Sequence, residues 1–551
     1  LLLSEKSEMT SAALSSVSAV VDYVFERYPQ VGRRAGCHEF DARLPEVSAD
    51  APSDVDGLLT AVRARLEALP EDADPEVRAD LGTAMRVLTD ERFRIAERGR
   101  PHRGPDLWLA ETDVHVYLRS EYAPLDERVA ALSRHLVQLP DFLAAAAKTF
   151  GRTLPAGERI SGIENARARA ASVPNVVAQL VAVRPDVADS SLLELADAAS
   201  AAFAGFADAV AATQPARATF GPDLLAAYLE AAEGIDTPVD ELLAQTEAEV
   251  RHLVARLDAL AAHLGVRNRQ EAYELLSAQL PAGSVVTVLS GIIERLREFW
   301  AEQDVVTLTS RYGLDIRPAR DASTSAAVVF DHAGALEKVP QPHVLHVPEP
   351  DDPAALRDYL NEPMLEMIAV HEAVPGHYLH HEATPEHAGV IRRCMPWFPG
   401  TSEGWAHYTE ELAIERGLAE GRPLVEVAAL RYALEAATRL LVFLSVHSGR
   451  RKFGAAAAEA ATLCAWSPER AGREVLAVAA NPAGAMYTLG KLHIRRWREL
   501  AGVRDSAADL KSFHDRLLRC GSAPLSTVWR YYLDGRHVPT ASTTTLRRNR
   551  D

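Results

Sequence analysis

The stretch HEAVPGH, residues 371–377, decides how this chain is read. It sets Glu372 beside His371 and returns a second histidine, His377, six residues after the first. Two imidazoles and a carboxylate suit Zn²⁺, and three protein ligands leave a fourth position for water. A further carboxylate next to the first histidine can take a proton from that water. Glu372 is therefore the candidate base. The third ligand has a candidate downstream, Glu403, in TSEGWAHYTEEL, residues 401–412.

The spacing departs from HExxH, whose histidines lie four apart on one helix face. Here the residue four after His371 is Pro375. On an unbroken helix six residues advance by ~600°, which would turn His377 roughly 120° away from His371. Pro375 removes a backbone donor and Gly376 tolerates unusual dihedrals, so the sequence predicts a kink or a bulge of one or two residues that brings His377 back. Two other readings stay open. The helix could end at Val374, leaving two unrelated histidines. Alternatively, His377 could pair with His381, four residues on in HYLHH, with Tyr378 standing where a base is needed. If that pairing fails, His380 and His381 read as solvated residues or as hydrogen-bonding partners behind the site.

On a helix beginning near Thr401 or Ser402, Glu403, His407 and Glu410 share one face, and Trp405, Tyr408 and Leu412 share another that suits core packing. Alone, a Glu-His-Glu face is more often solvated than catalytic. Beside HEAVPGH it reads as a ligand, Glu403, with hydrogen-bonding neighbours that fix its orientation.

HEAVPGHYLHHE, SEGWAHYTEEL, NPAGAMYTLGKLHIRRWREL and FHDRLLRCGSAPL resemble successive blocks of the bacterial domain of unknown function 885 family, and YPQVGRRAGCHEFDARLPEVS resembles its opening block. That family is similar to gluzincin-type zinc metallopeptidases, the thimet oligopeptidase-like and carboxypeptidase Taq-like enzymes. The resemblance spans most of the chain and is most specific between His371 and Glu410. It implies His371, His377 and Glu403 as zinc ligands and Glu372 as general base. It also implies Tyr487 as donor to the developing oxyanion, with His447 as a further donor across the cleft. Each of the last two has a plainer alternative: a half-buried core tyrosine, and a helix-end histidine favoured by the dipole. The chain departs from the family pattern at His380, near which glutamine is common, and at Phe443, where aspartate is usual. Those departures leave the metal site intact and bear on the substrate pocket. Among Arg439, Lys491, Arg495, Arg496 and Arg498, one could clasp a substrate carboxylate.

The 551 residues are 48% hydrophobic, ample for a large core, and length alone allows three or four domains. A net charge of −18 opposes nucleic-acid binding, which needs a basic face. The four cysteines, Cys37, Cys394, Cys464 and Cys520, lie far apart with no CxxC, which fits a reducing, cytoplasmic setting. The chain opens LLLSEKSEMT without methionine, and relatives of this kind are often exported, so a trimmed leader remains an alternative. No stretch approaches twenty uncharged apolar residues, so no membrane span is expected. Cys37-His38-Glu39 reads as a loop. Oligomeric state leaves no mark in the sequence.

Helical periodicity dominates elsewhere. In TPVDELLAQTEAEVRHLVARLDALAAHLG, Thr237 can cap, Pro238 and the acidic pair suit the first turn, and Gly265 terminates. Similar patterns at 55–70, 76–98, 124–149, 190–213, 222–233 and 284–302 predict a helical wall. Between about 303 and 350, β-branched clusters and prolines predict a small sheet just before the His371 helix. The resemblance implies that one of its strands lines the substrate cleft, where a peptide could pair with its edge; a covering hairpin is the alternative. The 531–551 tail is polar and expected to fray.

The expected fold is mainly α: a zincin-like helical protein with a small sheet beside a deep active-site cleft. Residues 1–302 would form one helical wall and 303–551 the zincin-like catalytic part. The expected function is zinc-dependent hydrolysis of an amide or peptide bond in a small peptide or peptide-like metabolite. One alternative is a metal-dependent enzyme of specialised metabolism that hydrolyses or eliminates on a small amide. The other is a non-catalytic helical binding protein with a structural or degenerate zinc site, against which the intact Glu372 argues.

Overall fold

Apolar residues recurring at helical spacing fold this chain into packed helices, and the fold is mainly α, as the periodicity predicts. The computed structural model describes residues 2–47, 54–70, 73–96, 104–119, 121–186, 188–216, 219–319, 327–350, 352–384, 388–394 and 398–533. Most of the tail expected to fray, 534–551, lies outside these. Local signals place several helix ends. Val239–His263 starts behind Pro238, which occupies the cap position without a side-chain bond, so Thr237 stands one residue outside the cap. Gly265, at φ +75°, closes the same helix. The 124–149 pattern divides into Leu125–Leu136 and Leu139–Ala147, because Pro140 has no N–H to continue the ladder.

Three apolar clusters hold the molecule together. The largest crosses residue 302: Leu257, Leu289 and Trp300 share it with Met364, Trp405, Phe443 and Met486. A second joins the helices between 105 and 212. A third joins the N-terminal helices to Ile391, Cys394 and Phe398. One helix, Ser190–Ala212, is long and apolar enough to cross a membrane by length and composition alone, though it carries Glu194, Asp197 and Asp208. Its Leu192, Phe203, Phe206 and Val210 are buried in the second cluster.

Strands are few and short. β1 (Thr153–Pro155) pairs in parallel with β2 (Gln214–Ala216). The predicted small sheet consists of β3 (Leu314–Pro318), β4 (Val329–Asp331) and β5 (His343–Val347), in the order β3-β5-β4. β3 runs parallel to β5, β4 runs antiparallel, and β4 is an edge. On β5, His343, Leu345 and Val347 point inward in strict alternation.

Five helices carry the site: α1 (Glu362–Glu372), α2 (His377–Ala383), α3 (Pro399–Glu415), α4 (Pro423–His447) and α5 (Ala483–Leu500). Asn361 caps α1 by accepting from the Met364 N–H at 3.2 Å, and Pro363 occupies its first turn. Met364, Leu365, Met367, Ile368 and Val370 are buried on every face of α1, which makes it a central helix. Glu382 of α2 accepts from the backbone N–H groups of Arg311, Tyr312 and Gly313, docking the segment before β3 onto α2. α3 and α5 cross at paired glycines: a Cβ on Gly404 would stand 2.6 Å from the Gly490 Cα, and one on Gly490 would stand 1.9 Å from the Gly400 carbonyl oxygen. Only side-chain-free residues allow that approach, and it brings Glu403 and Tyr487 to the same place.

Candidate metal centre

α1 stops at Glu372 and α2 starts at His377, so the chain breaks the helix where a bulge was expected. The turn between them is tightly held. The N–H groups of Ala373 and Val374 both reach the Ala369 carbonyl, at 3.0 and 3.1 Å, and Gly376 N–H reaches Val370 at 3.0 Å. Trp405 Nε1 donates to the Pro375 carbonyl at 2.8 Å. A Cβ at Gly376 would lie 1.7 Å from the His371 carbonyl oxygen, so no other residue passes there. The outcome combines two of the sequence readings. The helix ends, yet the histidines meet, with ring centroids 4.8 Å apart and planes at 89°.

Glu403 completes the group. Its Oε2 lies 3.2 Å from His377 Nε2 and 3.5 Å from His371 Nε2, and the three atoms fall within 4.8 Å of one another. Neither contact has hydrogen-bond geometry, which leaves Glu403 Oε2 a buried acceptor without a partner. A tetrahedral zinc with bonds of ~2.0–2.1 Å holds its ligand atoms about 3.3 Å apart, so these residues fit such an ion. Burial works against the Glu403 charge, but His377 and His371 outweigh it and hold the carboxyl well below its usual range. Among the described residues this is the cluster that could hold a metal. His381 is outside it: its ring stacks on His332 at 4.6 Å and 11°, so the HYLHH pairing is not realised.

Glu410 fixes the first histidine. Its Oε1 accepts from His371 Nδ1 at 2.6 Å and its Oε2 from His407 Nδ1 at 3.1 Å. With Nδ1 donating, His371 keeps its Nε2 lone pair for the ligand cluster, the arrangement that orients metal-binding histidines. Burial alone would raise Glu410; His407 and His371 prevail and hold it at about 2. The sequence placed Glu410 behind Glu403, whereas in space it stands behind His371.

Glu372 ends α1 beside the cluster. Burial raises its pKa, while His377, His371 and, more weakly, the backbone of Phe330 on β4 pull it down. The Phe330 ring lies nearly parallel to His377, centroids 6.3 Å apart. β4 therefore lines the site rather than merely covering it. Tyr487 stacks on His371 at 5.6 Å and 10°. The charge of Glu403, then burial, Glu372 and a hydrogen bond to Glu403 push its phenol well above the ordinary value, so it stays a proton donor.

The sequence profile of the family described as bacterial protein of unknown function (DUF885) matches residues 29–530. The chain belongs to the DUF885 family. No curated protein matches this DUF885 chain. Solved structures share its fold. A candidate lipoprotein of unknown function from Shewanella oneidensis is 18% identical, with a TM-score of 0.71 over 93% of this chain and 98% of its own. A candidate lipoprotein from Colwellia psychrerythraea is 17% identical, with a TM-score of 0.75 over 96% and 99%. An M32 carboxypeptidase from Deinococcus radiodurans R1, 12% identical over 96% and 95%, reaches a TM-score of only 0.42, too distant to carry an argument.

Other residues of this DUF885 protein need reassignment. His447 is buried, accepts the Phe220 N–H on Nδ1 at 3.2 Å and donates from Nε2 to the Ala479 carbonyl at 3.1 Å. With both ring nitrogens engaged by backbone it is not a donor across the cleft; it is the helix-end histidine of the alternative reading. Phe443 is fully buried against Tyr228 and His447, so the departure from aspartate there fills core. His380 is buried too and donates to the Gly521 carbonyl at 3.2 Å, which sets aside the solvated reading and leaves that of a hydrogen-bonded residue behind the site. The basic residues are largely committed. Lys491 lies between Glu249 and Glu411 at 2.7 and 3.2 Å, Arg495 and Arg498 pair with Glu249 and Glu415, and Arg439 pairs with Glu474 at 3.0 Å.

Tyr432, on α4, is a residue the sequence did not single out. Its ring lies 6.1 Å from that of Tyr359, and burial, then the charge of Glu410, raise its phenol well above the ordinary value. A lone tyrosine in an apolar helix reads as core, so no sequence signal marked it. A cavity of about 520 Å³ includes His377 and Glu403 in its wall. A larger one, about 650 Å³, is lined by Thr287, Arg295, Glu362 and Arg422 and includes none of the site residues.

Proposed function

We propose that this DUF885 protein is a zinc-dependent hydrolase that cleaves an amide or peptide bond in a small peptide or peptide-like metabolite. The supporting observation is the convergence of His371 Nε2, His377 Nε2 and Glu403 Oε2 with Glu372 at their side. A zinc ion held there would supply Lewis-acid polarisation of a carbonyl and acidify water.

The chain's own groups do the rest. Glu372, lifted by burial toward the pH at which a general base works best, takes a proton from the attacking water and returns it to the leaving amine. Tyr487, which keeps its proton beside Glu403, donates to the carbonyl oxygen as charge develops there. The edge of β4 beside Glu372 offers backbone groups to an extended substrate. A structural zinc site has no use for a free carboxylate in the position of Glu372. Of the two departures from the family pattern, Phe443 is absorbed by core packing, while His380, held by the Gly521 carbonyl, stands in the wall of the cavity beside the ligands. Neither alternative function gains an observation of its own.

The unpaired cysteines suit a cytoplasmic protein. The description of two neighbours as candidate lipoproteins favours the exported alternative, and fractionation of cells carrying the full gene decides between them.

Glu372→Gln tests the proposal. It keeps volume and removes the proton-accepting charge, so zinc content should stay near wild type while turnover of a peptide library falls by roughly 10²–10⁴-fold. Loss of zinc would make Glu372 a ligand, and full turnover with zinc retained would sink the mechanism.

A further inference from the structure

The cavity beside the ligands has a composition that the metal chemistry does not call for. Besides His377 and Glu403 its lining includes six rings, those of Tyr312, Phe330, His332, His343, His380 and His381, among arginines and small residues. The rings are packed face to face and at an angle: His381 lies on His332 at 4.6 Å, and Phe330 stands 5.5 Å from both His381 and His343. Its volume of about 520 Å³ lies within the ~300–1,000 Å³ of small-molecule pockets.

Hydrogen bonding leaves two imidazoles of this wall neutral. His343 Nδ1 accepts the Ala333 N–H at 3.0 Å and so carries no proton. His380 donates from Nε2 to Gly521, and its Nδ1 is buried without a partner. Burial agrees, pushing His343 down to about 3 and His380 down to about 4.

The charged groups of the wall are spoken for. Glu337 accepts from His38 at 3.0 Å, and Glu403 belongs to the ligand cluster. Arg392 holds Asp80 and Glu76, each at 2.6 Å, Arg34 stands 3.6 Å from Asp331, Arg311 reaches the carbonyls of Glu382 and Thr384, and Arg393 donates to the Ala335 carbonyl at 2.7 Å. A cationic side chain entering here would lose its hydration among these arginines, and an acidic one would compete with the carbonyls and carboxylates that already hold them. A flat, uncharged ring would meet faces and edges of other rings.

We propose that this cavity is the subsite for the substrate side chain next to the scissile bond, and that it takes an uncharged aromatic ring. The inference rests on the hydrolase reading and names its substrate class: peptides or amides with Phe, Tyr or Trp at that position. His332 and His381 determine the specificity, since their stacked pair supplies the flat surface.

The test uses zinc-loaded protein and N-acetylated dipeptide amides carrying Phe, Tyr, Trp, Leu, Ala, Asp or Lys on either side of the bond. At one of the two positions kcat/KM should favour aromatic over Ala by about tenfold or more, with Asp and Lys poorest. His381→Ala and His332→Ala should each cut the aromatic-to-Ala ratio by about two- to tenfold, the range for a lost ring contact, without lowering zinc content. Hydrolysis with no side-chain preference, or a preference that survives both variants, overturns the subsite and leaves the hydrolase reading standing. Calorimetry with N-acetyl-phenylalaninamide and N-acetyl-alaninamide covers the remaining case. If no peptide is cleaved, but the aromatic probe binds and His381→Ala abolishes it, the subsite holds and the hydrolase reading falls. If neither probe binds and nothing is cleaved, both fall.

Discussion

Removing Glu410 should weaken the metal site without touching a ligand. The carboxylate holds His371 Nδ1 at 2.6 Å and His407 Nδ1 at 3.1 Å, so it sets the ring angle of a ligand and the face of that ligand's neighbour. Loss of an orienting partner of this kind costs roughly 10–100-fold in metal affinity, or about 1.4–2.7 kcal/mol. In Glu410→Ala both imidazoles also lose an acceptor, and His407 Nε2 is already buried without a partner. Each such loss destabilises the apo-protein by about 1–3 kcal/mol. Glu410→Gln keeps an oxygen for His371 and drops the charge, so it should sit near the tenfold end. Zinc affinity would be measured by competition with a chelator of known strength, alongside the apo-protein Tm to separate affinity from unfolding. Wild-type affinity in Glu410→Ala would mean that His371 is not held for a metal by this bond. The ligand set would then need redrawing.

The ligand assignment itself separates two variants: His371→Ala should strip zinc, and His381→Ala should keep it, as read by elemental analysis; the reverse would restore the HYLHH pairing. Gly376→Ala places a Cβ 1.7 Å from the His371 carbonyl oxygen, a clash that must move the turn. Zinc occupancy and Tm should drop together, by ~1–3 kcal/mol or more in stability, and an unchanged Tm would show that the turn has another conformation. His38 gives a pH signature. Burial opposes its charge, but hydrogen bonds to Asp41 and Glu337 push it up to about 9 from 6.5. Its folded pKa thus lies above the unfolded one, so its contribution, about 1–2 kcal/mol once solvent screening of a half-buried ring is allowed for, is complete below about pH 6.5 and lost as pH rises through 9. Urea midpoints at pH 6, 8 and 10 should fall more steeply for wild type than for His38→Gln, and parallel profiles would refute the ion pair.

Which features the sequence revealed follows from the range of the interactions behind them. Periodicity and caps are local, so the helices at 222–233 and 284–302 could be read within a residue. HEAVPGH carried its own break signal, since Pro375 and Gly376 cannot continue a helix, and Glu403 declared itself by sharing a segment with His407 and Glu410. Partners across the fold were illegible. Nothing in HYLHH says that His381 stacks on His332, forty-nine residues earlier, or that Phe330 of β4 lies against His377. Glu410 shows the limit most clearly. Helical spacing put it on the face of Glu403, but its two oxygens are taken by His371 and His407, and only the crossing of α1 and α3 makes that choice. The same logic removed His447: a histidine ending an apolar helix looks free to face a cleft until Phe220 and Ala479, distant in sequence, occupy both its nitrogens. A motif can therefore nominate ligands, because their chemistry is intrinsic to the side chains. It cannot assign donors and orienting partners, because those roles belong to whichever groups the packing leaves unsatisfied.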